Sequence, residues 1–215
     1  LCLMDFDDQM VYALRILRGV RFSAKYSLTP DHATLDAMKT LAPLMDNLAH
    51  ERIFDELSKL LLCASAHDLT TFAPILAQAI PELAPAIGFD QHSHHHVYDV
   101  YSHTAHVVEG VHAKLTLRWA ALLHDVGKVA TFTLDDQGQG HFYGHAEKSA
   151  EMADAILRRL KAPTVLREDA VFLIEKHMTP LSADKKLLRR RLSQHGEERL
   201  RMLLQLQKAD FCAKG

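Results

Sequence analysis

A chain of 215 residues, 48% hydrophobic and 24% charged, has the composition of a soluble globular protein and the length for one large domain or two small ones, of which two is the expectation. Its formal net charge of −2 excludes a surface that is basic all over, so contact with nucleic acid must come from a local patch, and no apolar run is long enough to span a membrane. Three widely spaced cysteines, Cys2, Cys63 and Cys212, form no CxxC pair and read as free thiols in a reducing cytoplasm. No charged segment followed by an apolar one marks a secretory signal, and a chain beginning at Leu1 is expected to have residues upstream.

Glycine and proline are few, and most segments repeat apolar residues with a 3.6-residue period, which predicts an all-α chain. Over 10–26, Ile16, Leu17, Val20 and Ala24 mark one helical face while Arg15, Arg18, Arg21 and Lys25 line another as a basic stripe. Thr29 is the expected N-cap of the next helix, with Pro30 at its first position and Pro43 bending or ending it. Ile53, Phe54, Leu57, Leu60 and Leu61 form the apolar stripe of a helix over 50–62, and another covers about 67–80 before PELAPAIG breaks it. These helices make a first bundle over 1–90. A second series over 91–215 has helices near 98–110, 113–126, 145–161, 164–178 and 183–212, the last broken near Gly196. Between the second and third of these, VATFTLDDQGQGHFYG alternates and is β-rich, which predicts a small hairpin around an Asp-Asp-Gln-Gly turn. The boundary falls near 88–92, beside the one biased stretch, HSHHH at 92–96, whose His92, His94 and His95 read as a polar linker.

Histidine is the outlier, with 15 copies. The helix LTLRWAALLHDVGK is apolar nearly all round and therefore buried, with His124 and Asp125 at its C-terminal end beside Gly127. Ionisable side chains in such a place need partners. Imidazole and carboxylate together suit Zn²⁺, Mn²⁺, Fe²⁺ or Ni²⁺, but two ligands hold a metal poorly. Four more residues of ligand type stand on other helices: His103, His145, His177 and Asp210. A helical bundle builds metal sites from side chains on facing helices, and this H…HD…H…H…D order supplies ligands for one metal or two. Lys128, one turn beyond Asp125, is placed to meet a phosphate oxygen. His106, one turn from His103, reads as a satisfied core or surface histidine.

This order resembles the HD-domain metal-dependent phosphohydrolases. The resemblance implies that His103, His124, Asp125 and Asp210 hold one divalent metal (Ni, Mn, Mg, Fe or Zn), that His145 and His177 help to hold a second, and that Asp125 bridges the two. Catalytic roles then fall to Asp125 and Lys128. ALRILRGVRFSAKY at 13–26 and HERIFDELSKLL at 50–61 are similar to the region after the catalytic head in bacterial CCA-adding enzymes and the related poly(A) polymerases. HHVYDVYSHTAHVV, ALLHDVGK and FYGHAEKSAEMA are similar to the HD domain that follows in many of those proteins.

What the resemblance implies is a helical neck and body followed by an HD domain, without the nucleotidyl-transferring head. No glycine-rich strand–turn with a nearby Asp-x-Asp pair occurs in the sequence. The family's Glu-Asp pair ahead of Leu14-Arg15 is Val11 and Tyr12 here, and Asp8 lies a helical turn away, which weakens a nucleotide-reading role for the neck. Arg15, Arg18 and Arg21, with Lys185, Lys186, Arg189, Arg190 and Arg191 later, are candidates to track tRNA phosphates. The expected substrate is a phosphoester or nucleotide, such as a phosphomonoester or a 2′,3′-cyclic phosphodiester, with tRNA as a further partner, no membrane and a cytoplasmic setting. A non-catalytic tRNA-binding scaffold with a structural metal, or another HD nucleotide hydrolase, are the alternatives. The absence of a GYP triplet after the HD pair weighs against cyclic dinucleotide cleavage.

Overall fold

The computed structural model describes residues 6–92, 97–181 and 184–214, with side chains described from residue 11 onward. Cys2, His94 and His95, and the side chain of Asp8, lie outside the described residues. The architecture is all-α with one two-stranded hairpin. The first five helices are α1 (Phe6–Tyr26), α2 (His32–Leu41), α3 (His50–Leu61), α4 (Ala66–Thr71) and α5 (Ala73–Ala79). After a 3₁₀ turn over Pro81–Ala86 come α6 (Val100–Gly110), α7 (Leu115–Leu123), the antiparallel pair β1 (Thr133–Leu134) and β2 (Gly140–His141), α8 (His145–Arg159), α9 (Thr164–Lys176), α10 (Lys185–His195) and α11 (Glu197–Cys212). Among the described residues no helix is long and apolar enough to cross a membrane.

Two local expectations change. The cap of α2 is Asp31, not Thr29, because its carboxylate accepts the Thr34 amide at 2.8 Å, which also moves Pro30 outside the helix. The helix expected over 67–80 is two, parted at Phe72. Pro74 has no N–H to continue the ladder, while Ser65 and Asp68 cap the start of α4 reciprocally. The break expected near Gly196 is present: the residue adopts φ +79° and ψ 157°, a backbone conformation open essentially to glycine alone, and parts α10 from α11.

Ile16, Leu17, Val20 and Ala24 of α1 are buried as their spacing demands, against Ile53, Leu57, Leu60 and Leu61 of α3. The core continues without a gap into α6 and α7. Trp119 of α7 is fully buried and stacks on Phe54 of α3, rings 5.4 Å apart and 9° from parallel, while its indole N–H donates to Ser58 Oγ at 3.0 Å. Tyr101 of α6 donates its hydroxyl to the Leu69 carbonyl of α4 at 3.1 Å, and Arg159 of α8 holds Glu82. Helix α7 is therefore enclosed on all sides: its early residues pack on the first bundle and its last turn delivers His124.

Deleting the Trp119 side chain removes the stack, the hydrogen bond and a large buried volume. Trp119→Ala should lower stability by about 3–5 kcal/mol, read in urea denaturation as an earlier midpoint for one shared transition of both halves.

Candidate metal centre

The ligand-type residues converge on the end of α7. His124 follows its last residue, His145 opens α8, His177 follows the last residue of α9, and His103 and Asp210 face inward from α6 and α11. The turn carrying His124 and Asp125 lies tight against α8. Gly127 donates its amide to Ser149 Oγ at 2.9 Å, and a Cβ on Gly127 would come within 2.7 Å of the Ser149 amide nitrogen. Glycine is required there by close approach.

Each histidine is oriented in the same way. Nδ1 of His124, His145 and His177 faces the carbonyl three residues earlier, of Ala121 (2.8 Å), Phe142 (2.8 Å) and Ile174 (2.6 Å). Nδ1 of His103 faces the Ala213 carbonyl at 3.2 Å. A carbonyl can only accept, so the proton sits on Nδ1 and Nε2 turns inward, the arrangement in which metal-binding imidazoles are held. At α7 and α9 the same bond caps a carbonyl of the last helical turn.

Inside, acceptors meet acceptors. Asp125 Oδ2 lies 3.1 Å from His124 Nε2 and 3.6 Å from His103 Nε2, while Oδ1 lies 3.4 Å from His145 Nε2 and 3.9 Å from His177 Nε2. Asp210 Oδ1 is 3.0 Å from His103 Nε2 and 3.9 Å from His124 Nε2, and the two Nε2 atoms of His145 and His177 are 3.3 Å apart. These are close approaches without hydrogen-bond direction for the group at the centre: His124 Nε2 and both oxygens of Asp125 are buried and accept or donate no hydrogen bond. Two ligands on one ion at about 2.1 Å each stand roughly 3–4 Å apart, which is the spacing found. The donor atoms fall into two sets that share Asp125, one with His103 and His124 and one with His145 and His177.

The electrostatics agree with a cation-binding pocket. Burial would push the Asp125 carboxyl up, but the charges of His124 and Lys128 override it and hold it well below the ordinary carboxylate range. Burial raises Asp210 too, yet its contacts with His103 and His124 bring it down to about 2. Desolvation, helped by the charge of His124, drops His177 to about 4, so at neutral pH it is the uncharged imidazole that a metal requires. Burial opposes a charge on His124, and Asp125 beside it raises its pKa instead.

Lys128 lines the same cleft of about 290 Å³ with Asp125, His145, His177 and Asp210. Its Nζ lies 2.8 Å from Asp125 Oδ2 and donates to Gln91 Oε1 at 2.9 Å. Gln91 is 1% exposed and its amide nitrogen donates to the Tyr98 carbonyl. Sequence reading passed over Gln91, which no periodicity marks. It also passed over Gln207, whose Nε2 donates to the His177 carbonyl (3.0 Å) and the Thr179 carbonyl (2.8 Å). Gln207 stands three residues before Asp210 on one helical face, a spacing that could have exposed it. His106 is half-buried with its ring tilted against Tyr98, centroids 4.4 Å apart, and belongs to neither ligand set. His92 accepts the Gly140 amide on its carbonyl and so braces the hairpin.

The three arginines of the basic stripe lie far from this cleft in the chain's first bundle. Arg18 and Arg21 share the buried carboxylate of Glu56, at 3.4 and 2.8 Å, and Arg15 is exposed with its guanidinium 5.5 Å from the Tyr12 ring. Val11 and Tyr12 are exposed and present no carboxylate.

The family model described as the HD domain matches residues 93–212, more than half of the chain. The chain belongs to the HD-domain family. A second family model, "Probable RNA and SrmB- binding site of polymerase A", matches residues 27–87, upstream of the HD domain. The chain is 36% identical to an A-adding tRNA nucleotidyltransferase of Deinococcus radiodurans, over 95% of this chain and 50% of the relative. It is 36% identical to a CC-adding tRNA nucleotidyltransferase of Thermus thermophilus, over 82% and 44%, and 34% identical to a multifunctional CCA protein of Aromatoleum aromaticum, over 92% and 52%. The chain thus spans about half the length of the curated relatives it matches. HD domains bind divalent metals, and the residues of this HD domain fit one: its buried imidazole and carboxylate atoms without hydrogen bonds are those a cation satisfies.

Two substitutions probe the supports without touching a ligand. Gly127→Ala, which forces the His124–Asp125 turn off α8, should cost about 1–3 kcal/mol of overpacking and reduce the rise in melting temperature produced by Mn²⁺ or Ni²⁺. Gln207→Ala should weaken metal affinity about 10–100-fold in a competition titration against a chromogenic chelator while leaving the metal-free melting temperature nearly unchanged.

Proposed function

We propose that this chain is a metal-dependent phosphohydrolase acting on phosphomonoesters or 2′,3′-cyclic phosphodiesters, within a protein related to the tRNA nucleotidyltransferases. The observation that carries the reading is Asp125, a buried carboxylate with one oxygen toward each of two histidine pairs at the floor of an open cleft. His103, His124, Asp125 and Asp210 would hold one ion, and Asp125, His145 and His177 a second. Nitrogen and oxygen donors in this mixture favour Mn²⁺, Fe²⁺, Ni²⁺ or Zn²⁺ over Mg²⁺, which prefers an all-oxygen shell. Divalent ions in such a site lower the pKa of bound water and neutralise charge on phosphoryl oxygens.

The chain's own groups supply the rest. Lys128 has three N–H donors and gives one to Gln91, so another is available to a phosphoryl oxygen in the cleft. Gln91 and Asp125 keep that ammonium from swinging outward. The imidazoles of His145 and His177 are fixed by their carbonyl partners and offer no competing proton. Nucleotidyl transfer is not proposed for these residues, since the sequence carries no Asp-x-Asp pair on a glycine-rich turn. Contact with tRNA is proposed for the first bundle, supported by the family match over 27–87 and by the names of the relatives. Arg15, Arg18 and Lys25 are its exposed cations on α1, of which Arg18 is paired with Glu56.

Elemental analysis of the purified chain, with assays on bis-p-nitrophenyl phosphate and 2′,3′-cyclic AMP across Mn²⁺, Ni²⁺, Mg²⁺ and Zn²⁺, tests the reading. The expected result is bound transition metal, turnover with at least one ion, and an Asp125→Ala rate no higher than that of the metal salt alone. A wild-type chain that binds no metal and matches Asp125→Ala in every assay sinks it.

A further inference from the structure

Most arginines of the described chain have an acidic partner. Arg18 and Arg21 share Glu56, Arg158 and Arg167 share Asp154, and Arg159, Arg199 and Arg201 hold Glu82, Asp169 and Glu197. Arg15, Arg52 and Arg118 make no ion pair among the described residues either, but helix α10 gathers several such cations on one element. Its sequence KKLLRRRLSQH contains no acidic residue, and Lys185, Lys186, Arg189, Arg190 and Arg191 make no ion pair among the described residues. Arg191 bonds only a main-chain carbonyl, that of Pro180, at 2.9 Å. Cations left unneutralised on one short helix repel one another, and an anion nearby relieves that.

A solvated charged face would scatter such residues into water, but here two of them border one cleft, Arg190 exposed and Arg191 half-buried. Arg190 and Arg191 line a cleft of about 240 Å³ between α9, α10 and α11, together with Lys176, His195, Phe172 and Thr179, and no acidic side chain lines it. Phe172 offers a ring, with the His195 ring 4.8 Å away and the Arg199 guanidinium 5.5 Å from its centroid. Cations beside an aromatic ring are the equipment of a nucleotide site: the charge takes the phosphate and the ring takes the base. The volume is below the roughly 300–1,000 Å³ of a complete small-ligand site, which suits one unit of a longer ligand.

The cleft also adjoins the metal centre. Met178 lines the metal cleft and Thr179, the next residue, lines the basic one. Gln207 grips the carbonyls of both His177 and Thr179, so the ridge between the clefts is fixed to a metal-facing histidine. We propose that the basic cleft is a second phosphate subsite, which receives the penultimate nucleotide of an RNA strand whose terminal phosphoester lies at the metal centre. The proposal rests on the phosphohydrolase reading and narrows its substrate from free nucleotides to RNA 3′ ends.

The test compares 2′,3′-cyclic AMP with a five-nucleotide oligoribonucleotide ending in a 2′,3′-cyclic phosphate, for the wild-type chain, Arg190→Ala/Arg191→Ala and a charge control, Arg158→Ala. Wild type should prefer the oligonucleotide in kcat/KM. The double variant should lose about tenfold of that preference, as expected for charge-assisted phosphate bonds, and Arg158→Ala should keep it. In parallel, fluorescence anisotropy with a labelled, 3′-phosphorylated oligonucleotide reads binding without turnover. The slope of log affinity against log salt should become shallower by about 0.7 in the double variant, corresponding to one phosphate of a single strand no longer neutralised. No preference in wild type, or a preference and a salt slope that survive in the double variant, overturns the subsite. If neither substrate turns over, the phosphohydrolase reading fails by itself, and the anisotropy slopes still decide the subsite.

Discussion

Asp125 carries a charge that is 2% exposed and accepts no hydrogen bond on either oxygen. Moving such a group out of water costs several kcal/mol even after the surroundings relax, and an attraction of that size is needed to keep it ionised. The rest of the site is arranged around this constraint. Lys128 stands 2.8 Å away, four histidines present Nε2 toward it or toward its neighbour Asp210, and the apolar helix α7 keeps water from its back. The pocket centres on a buried negative charge that Lys128 and the imidazoles offset, an arrangement favourable for a cation.

The same logic explains why helix ends, rather than helix middles, supply three of the four histidines. A helix terminus leaves carbonyls without intrahelical partners, and a histidine just past that point can cap one with Nδ1–H and keep Nε2 for a ligand. His124 and His177 do this at the ends of α7 and α9, and His145 does it with the Phe142 carbonyl as α8 begins. One bond therefore settles the tautomer and the ring orientation together. A histidine that caps a helix and one that could hold a metal are here the same residue.

Much of the site was legible because HD-type ligands are ionisable residues at the borders of apolar helices, and a 3.6-residue period shows those borders. His103, His124, Asp125, His145, His177 and Asp210 could be named from that pattern, and they meet in space. Their supports were not legible. Gln91 acts through a hydrogen bond to Lys128 that no spacing reveals, and Gln207 through bonds to the His177 and Thr179 carbonyls, of which its place one turn before Asp210 was the one sign. Local boundaries failed where two signals competed: Thr29 and Asp31 are both good caps, and the chain's path selected the second. At Phe72 the break follows from Pro74, a signal that was present and outweighed by the apolar run around it. The basic residues of the first helix were visible as a stripe, but that Glu56 holds two of them is a consequence of packing α1 on α3.

Helix α7 has no face of its own. Trp119 belongs to a socket made by Phe54 and Ser58, while four residues later the chain hands its last turn to the metal centre. This limits how such a chain can be recombined. An HD region grafted from here onto a foreign body would arrive with an indole lacking its ring partner and its hydroxyl acceptor. The first bundle, detached, would open the cavity that the indole fills. The two halves are a matched pair, and a change at position 54 or 58 is felt at position 125 through one helix.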